Sequence, residues 1–287
     1  ILNYRLPKAI TAILAGMGLS ISGLLMQTLF RNPLAGPYVL GLSSGSSLGV
    51  ALVIMGAVFI PAFSDSLLLS SYGIVIASCM GSFLVLLAVL FVSQRLRDTM
   101  SILIVGLMFG AFTTAFVGIL TYFSSAEQLQ KFTFWSLGNI GNLSWTSIGI
   151  LSFAVFLGLL LSIFSIKPLN ALLLGENYAK SLGINYKKAQ FIIILATSLL
   201  AGSITAFAGP IAFIGLAVPH IAKLTFQSSN HTILFWSTLL FGAIIMLVCD
   251  IFTQIPGSDI TLPINAITSI IGAPIVIWLL IRKKNFR

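Results

Sequence analysis

The chain has 287 residues, of which 15 are Lys or Arg and 6 are Asp or Glu; 7% are charged, 58% are hydrophobic, and the mean hydropathy is +1.09. Soluble domains carry about 25% charged residues, and so few charges cannot cover the core a chain of this length would bury, which excludes a soluble globular protein. The net charge of +9 does not indicate nucleic acid, because the basic residues stand singly or in small groups between long apolar runs.

In chain order, uncharged gaps of 22 to 35 residues separate the charges, and each is long enough for a membrane-crossing helix of about 20 residues. The alternation of a barrel strand is absent, so the crossings are helices. The spacing predicts nine, over 8–29, 38–60, 68–92, 99–123, 144–166, 188–207, 211–225, 232–254 and 262–281. On the first helix Ala12, Gly16 and Ser20 recur every four residues, and Gly41, Gly45 and Gly49 do so on the second. Such stripes let helix backbones approach closely in lipid. Ser43 and Ser44 share the second stretch and are candidates for a polar pathway.

The 34-residue gap between Lys188 and Lys223 holds Gly202, Gly209-Pro210, Gly215 and Pro219, and could be one crossing or two. The positive-inside rule decides. One crossing divides the 15 basic residues 7 to 8; two put 12 on one face and leave Arg5, Lys8 and Lys131 on the other. The second pass is therefore expected to be short and preceded by irregular backbone, which is tolerated at membrane depth only when buried in protein or lining a cavity. Gly209, Pro210, Gly215 and Pro219 are the candidate broken-helix residues. Ala35-Gly36-Pro37 with Leu40-Gly41-Leu42 recurs as Ala208-Gly209-Pro210 with Ile214-Gly215-Leu216, and the topology makes the two occurrences inverted repeats, a transporter architecture.

Within the apolar runs Asp250 and His220 stand near helix ends, where a structural hydrogen bond accounts for each. An ion-coupled carrier holds several carboxylates or His at membrane depth, so that class is the alternative and not the leading reading. Cys79 and Cys249 read as buried apolar residues; no P-loop, metal-ligand spacing or Ser/His/Asp arrangement is present, so the chain is not expected to be an enzyme. Between Lys167 and Lys188 runs the longest cytoplasmic connection, where Glu176 and Ala179 are one helical turn apart and Gly183 follows one turn later. That spacing suggests a short helix closed by a left-handed residue, equally compatible with an ordinary amphipathic surface helix.

The E-x-x-A-x-x-x-G pattern resembles the coupling loop of ABC importer permeases. Around it, Arg5-Leu6-Pro7-Lys8, Arg31-Asn32-Pro33-Leu34-Ala35, Gly41-Leu42-Ser43-Ser44-Gly45, Trp135-Ser136-Leu137-Gly138, Gly215-Leu216-Ala217-Val218-Pro219-His220, and Leu262-Pro263 with Gly272-Ala273-Pro274 occur in the matching order. Together they resemble the FecCD-type permease family of iron–siderophore, haem and vitamin B12 importers over essentially the whole chain. The resemblance implies a single permease domain over 1–287 with a coupling loop at 167–188. It implies ten helices in a full-length member, so the first would be missing here, in line with Ile1 as the first residue. It further implies a bacterial inner-membrane protein with a cytoplasmic C-terminus, working as a homodimer with two ATPase subunits and an extracytoplasmic binding protein. Transport would proceed by alternating access, ATP hydrolysis would belong to the separate subunit, and this chain would bind no cofactor. The family's roles fall on Glu176, Ala179 and Gly183 for ATPase coupling, and on Arg5 and Lys8 for docking. The third docking position falls near the uncharged Gln254, and the cytoplasmic gate near Thr99 and Met100.

Overall fold

The computed structural model describes residues 4–56, 70–93, 99–141, 143–254 and 261–284. The predicted span ends at 57–60 and 68–69, together with Arg95, Arg97 and Arg287, lie outside the described residues, as do the side chains of Thr99, Glu176, Arg282, Lys283 and Lys284. Long uncharged runs fold as helices because lipid offers no partner to a backbone amide, and only a helix satisfies its own. Twelve α-helices are described: α1 (Arg5–Leu29), α2 (Leu42–Met55), α3 (Ser71–Ser93), α4 (Thr99–Phe123), α5 (Ala126–Ser136), α6 (Trp145–Phe164), α7 (Ile166–Leu173), α8 (Glu176–Ser181), α9 (Tyr186–Ala208), α10 (Ile214–Phe226), α11 (His231–Thr253) and α12 (Ile264–Lys284). Among the described residues the one extended pairing is an isolated antiparallel bridge between Gln254 and Thr261. Six helices are long and apolar enough to cross a membrane (α1, α3, α4, α6, α9 and α11), and α2, α10 and the Ile264–Trp278 part of α12 are shorter apolar helices.

Helix α1 is the centre of the bundle and packs on α11, α9, α10 and α6. The small-residue stripes are what bring these helices together. A Cβ on Gly16 would strike the Gly242 carbonyl of α11, and Ser20 Oγ donates to the Thr238 carbonyl at 3.1 Å. Gly45 and Gly49 of α2 meet Gly81 and Ala77 of α3 in the same way, and Gly23 of α1 lies on the backbone of Gly215 in α10. Helix α4, by contrast, packs mainly on α2, α3 and the turn before α2 among the described residues, leaving most of its surface uncovered by them.

Two departures from the sequence reading have local causes. The run 38–60 is not one continuous span: Pro37–Leu40 forms a 3₁₀ turn, Gly41 is left-handed at φ 75°, and α2 begins at Leu42. The break therefore occurs in both halves of the chain, after each Ala-Gly-Pro. Helices α5 and α7 were not anticipated. In α5, Ser125 and Gln128 form a reciprocal capping box and the short helix buries none of its residues, so it carries no apolar run for the span search to find.

Candidate functional site

The connection between α6 and α9 is built from α7, α8 and their caps. Gly175, at φ 116°, separates the two helices. Gly183, at φ 78°, ends α8: its amide donates to the Lys180 carbonyl at 2.9 Å, and Ile184 donates to Ala179 at 3.0 Å. That pair of bonds is the Schellman closure, in which a left-handed residue lets the last carbonyls find donors. Ala179 is fully buried beneath the helix, while Leu173, Leu174, Tyr178 and Leu182 are exposed around Lys180.

A buried polar network ties this segment to the bundle. Asn170 Oδ1 accepts the backbone amide of His231 at 2.8 Å and lies 3.0 Å from His231 Nδ1. An amide oxygen can only accept, so Nδ1 is the protonated ring nitrogen, and in the neutral ring Nε2 accepts the Thr28 hydroxyl at 2.8 Å. His231 is 1% exposed. Arg31, just past the end of α1, donates from Nη2 to the Leu172 carbonyl at 3.0 Å. Beside the network lies a cavity of about 300 Å³ lined by Thr28, Leu173, Lys223, Gln227 and His231, among others.

At the second break several backbone groups freed by Gly209-Pro210 are met by distant residues. Tyr38 Oη donates to the Ile211 carbonyl at 2.8 Å and accepts the Ile211 amide at 3.1 Å, and Asn265 Oδ1 accepts the Ala212 amide at 3.0 Å. Asn139 donates its amide to the Ala208 carbonyl at 2.8 Å. Phe213 is left-handed at φ 66°, and Gly272 of α12 leaves room for its side chain. Within α10, Pro219 has no amide to give the carbonyl of Gly215 one turn back. Gln27 of α1 faces it, placing Nε2 3.5 Å from the Gly215 carbonyl and 3.1 Å from that of Leu216, and accepts from Lys223 Nζ at 3.4 Å. His220 is half-buried next to Pro219. At the first break, Gly41 packs against the Gly106 carbonyl of α4, and Ser43 and Ser44 are half-buried, with Ser44 near Gly110 of α4. Met100 is exposed at the start of α4.

On the opposite face, Lys8 Nζ forms an ion pair with Asp250 Oδ1 at 2.9 Å and donates to Thr253 Oγ1 at 3.3 Å, both partners belonging to α11. Asp250, read from the sequence as a helix-end hydrogen-bond acceptor, is thus the counter-ion of Lys8, and both side chains are largely buried. Lys131 pairs with Glu127 at 2.8 Å along α5, and that hydrogen bond and charge hold the Glu127 carboxyl below its ordinary range. Arg5 is exposed and Gln254 is exposed beside its bridge to Thr261. A cavity of about 390 Å³ between Lys8, Phe134, Gly138, Thr253 and Pro263 opens here. No group of three or more His, Cys, Asp or Glu able to hold a metal occurs among the described residues.

The model of the FecCD transport family matches residues 1–282. The chain belongs to that family. It is a transmembrane permease of the ABC-transporter class. It is 33% identical to the hemin transport system permease protein HmuU of Yersinia pestis, over 100% of this chain and 84% of the relative. It is 32% identical to the vitamin B12 import system permease protein BtuC of Klebsiella pneumoniae, over 99% of this chain and 82% of the relative. Among solved structures it resembles an inward-facing metal-chelate type ABC transporter, with a TM-score of 0.89 and 30% identity over 98% of this chain and 87% of the other.

Within this FecCD permease, sequence reasoning did not find Gln27, Thr28, Tyr38, Asn170, His231 or Asn265. Each is a polar residue in an apolar run whose partner is remote in sequence. The available signals were weak: Asn230 as a helix cap before His231, and Pro219 as a demand for a donor from elsewhere.

Proposed function

We propose that the chain is the membrane-spanning subunit of an ATP-driven importer that carries a haem, a ferric siderophore or a corrinoid across the bacterial cytoplasmic membrane. Two copies form the pathway, the substrate passes by alternating access, and separate ATPase subunits hydrolyse the ATP. The observation that carries this reading is the α7–α8 segment: two short helices outside the long apolar spans, with Leu173, Leu174, Tyr178 and Leu182 exposed for a protein partner. Similarity over nearly the whole chain to haem and vitamin B12 permeases supports the substrate class.

The nine crossings of the sequence reading put this segment and the C-terminus in the cytoplasm and Arg5 on the outer face. Inverted repeats fit the Tyr38–Ile211 contact, because residues separated by the repeat offset of 173 meet when they lie on the axis relating the halves. In this reading Glu176, Ala179 and Gly183 receive the ATPase, Arg5 with Lys8 and Gln254 faces the binding protein, Thr99 and Met100 border the inner gate, and Gly41, Ser43 and Ser44 help shape the pathway. The test is uptake of haemin, cyanocobalamin and ferrichrome into cells depleted of ATP with the ion gradients held. Uptake should stop; uptake that continued would overturn the reading in favour of an ion-coupled carrier.

A further inference from the structure

Besides the packing of Leu169, Ala171 and Leu172 in the core, the α7 helix is held to the bundle by a small set of directional bonds. Asn170 reaches only the first residues of α11, His231 bridges α7 to α1, and Arg31 grips the Leu172 carbonyl. Beyond that point α1 and α11 run together as a tightly apposed pair. They touch through Gly16, Ser20 and Gly242 at mid-length and through the Lys8–Asp250 ion pair at the far end. A displacement of α7 that keeps the His231 bonds must therefore carry α1 and α11 with it.

We propose that His231, held between Asn170 and Thr28, is the positioning residue that passes movement of the α7–α8 segment into the α1–α11 pair. This rests on the importer reading above and names the connection by which that importer would be coupled. The bridge has two arrangements built into it. The Thr28 hydroxyl has one proton and two acceptors in reach, His231 Nε2 at 2.8 Å and its own helix's Leu24 carbonyl at 3.0 Å. Releasing His231 leaves the hydroxyl satisfied, so the link can break and reform without stranding a buried donor. The cavity of about 300 Å³ against Thr28, Leu173 and His231 gives α7 room to shift. A discrete two-state contact between packed elements is the physical requirement for transmission of this kind.

The experiment uses the complete complex of permease, ATPase and binding protein in proteoliposomes, with whichever of haemin, cyanocobalamin and ferrichrome the wild type transports. Three quantities are read: co-purification of the ATPase, basal ATP hydrolysis, and molecules imported per ATP. In His231→Leu, which preserves bulk and burial, assembly and basal hydrolysis should hold while import per ATP falls about tenfold, within the range by which such residues modulate coupling. Thr28→Val should lower the same ratio and Thr28→Ser should restore it, a pattern that loss of packing would not give, and this pair decides the matter if His231→Leu does not assemble. Import per ATP unchanged in both His231→Leu and Thr28→Val would overturn the inference. So would a fall in Thr28→Val that Thr28→Ser shares. A wild-type complex that hydrolyses no ATP would instead remove the importer reading, and this inference with it.

Discussion

Gly183 closes α8 at φ 78°, and a Cβ built there meets no atom within 4 Å. A side chain at this position is opposed by left-handed backbone strain of about 1–2 kcal/mol and not by a clash. Gly183→Arg should therefore leave the bundle folded and inserted, while placing a charged side chain on the surface that Tyr178 and Leu182 expose. The expected outcome is normal membrane insertion with loss of ATPase co-purification and of uptake; an arginine variant that kept its ATPase would remove Gly183 from the coupling surface. Gly183 was legible in the sequence because a left-handed closure is a local demand that glycine meets at its own position. Tyr38, Gln27 and His231 were not, because each answers a demand raised elsewhere. Ile211 beside the break needs a donor and an acceptor, Pro219 leaves the Gly215 carbonyl open, and α7 needs a hold on α11. A single sequence shows such polar side chains but not the distant backbone group that each completes. The same holds for Lys8 and Asp250, which look like separate features until α1 and α11 are laid side by side.

Between elements, the glycines sort into those a neighbour requires and those it does not. Gly16 faces the Gly242 carbonyl so closely that any Cβ would force α1 and α11 apart, whereas a Cβ on Gly149 of α6 finds no atom within 4 Å. Overpacking a tight contact costs about 1–3 kcal/mol, and replacing an unconstrained helical glycine by alanine gains up to about 1 kcal/mol. Gly16→Val should thus lower the melting temperature of the detergent-purified protein while Gly149→Ala leaves it level or raises it. Equal effects from the two substitutions would mean that the α1–α11 contact does not depend on its glycine. The long spans were readable because charge gaps and apolar length belong to the element itself. What escaped was the break before α2, since the run 38–60 stays apolar through Gly41, and α5, whose Glu127 and Lys131 interrupt the uncharged stretch that would have drawn attention to it.

Across the molecule, the three basic residues that the sequence reading sets on the outer face differ in kind. Lys131 is paired along its own helix with Glu127, and Lys8 is held between Asp250 and Thr253, so both charges are largely answered within the chain. Arg5 is exposed and forms no ion pair among the described residues. A guanidinium in that state is available to a carboxylate on a partner, and an exposed interfacial charge acts mainly through encounter and is screened by salt. Arg5→Glu should therefore weaken binding-protein affinity by about tenfold at low salt, with the loss shrinking as ionic strength rises. Lys131→Glu should change the affinity far less. Lys8→Glu is a poor probe of docking, because it sets a second carboxylate against the buried Asp250 and so disturbs the α1–α11 pair itself. The two effects separate on measurement: Arg5→Glu should leave the melting temperature unchanged and Lys8→Glu should lower it. If Arg5→Glu bound its partner as tightly as the wild type at low salt, the outer cluster would be a purely internal arrangement and docking would have to use another part of that face.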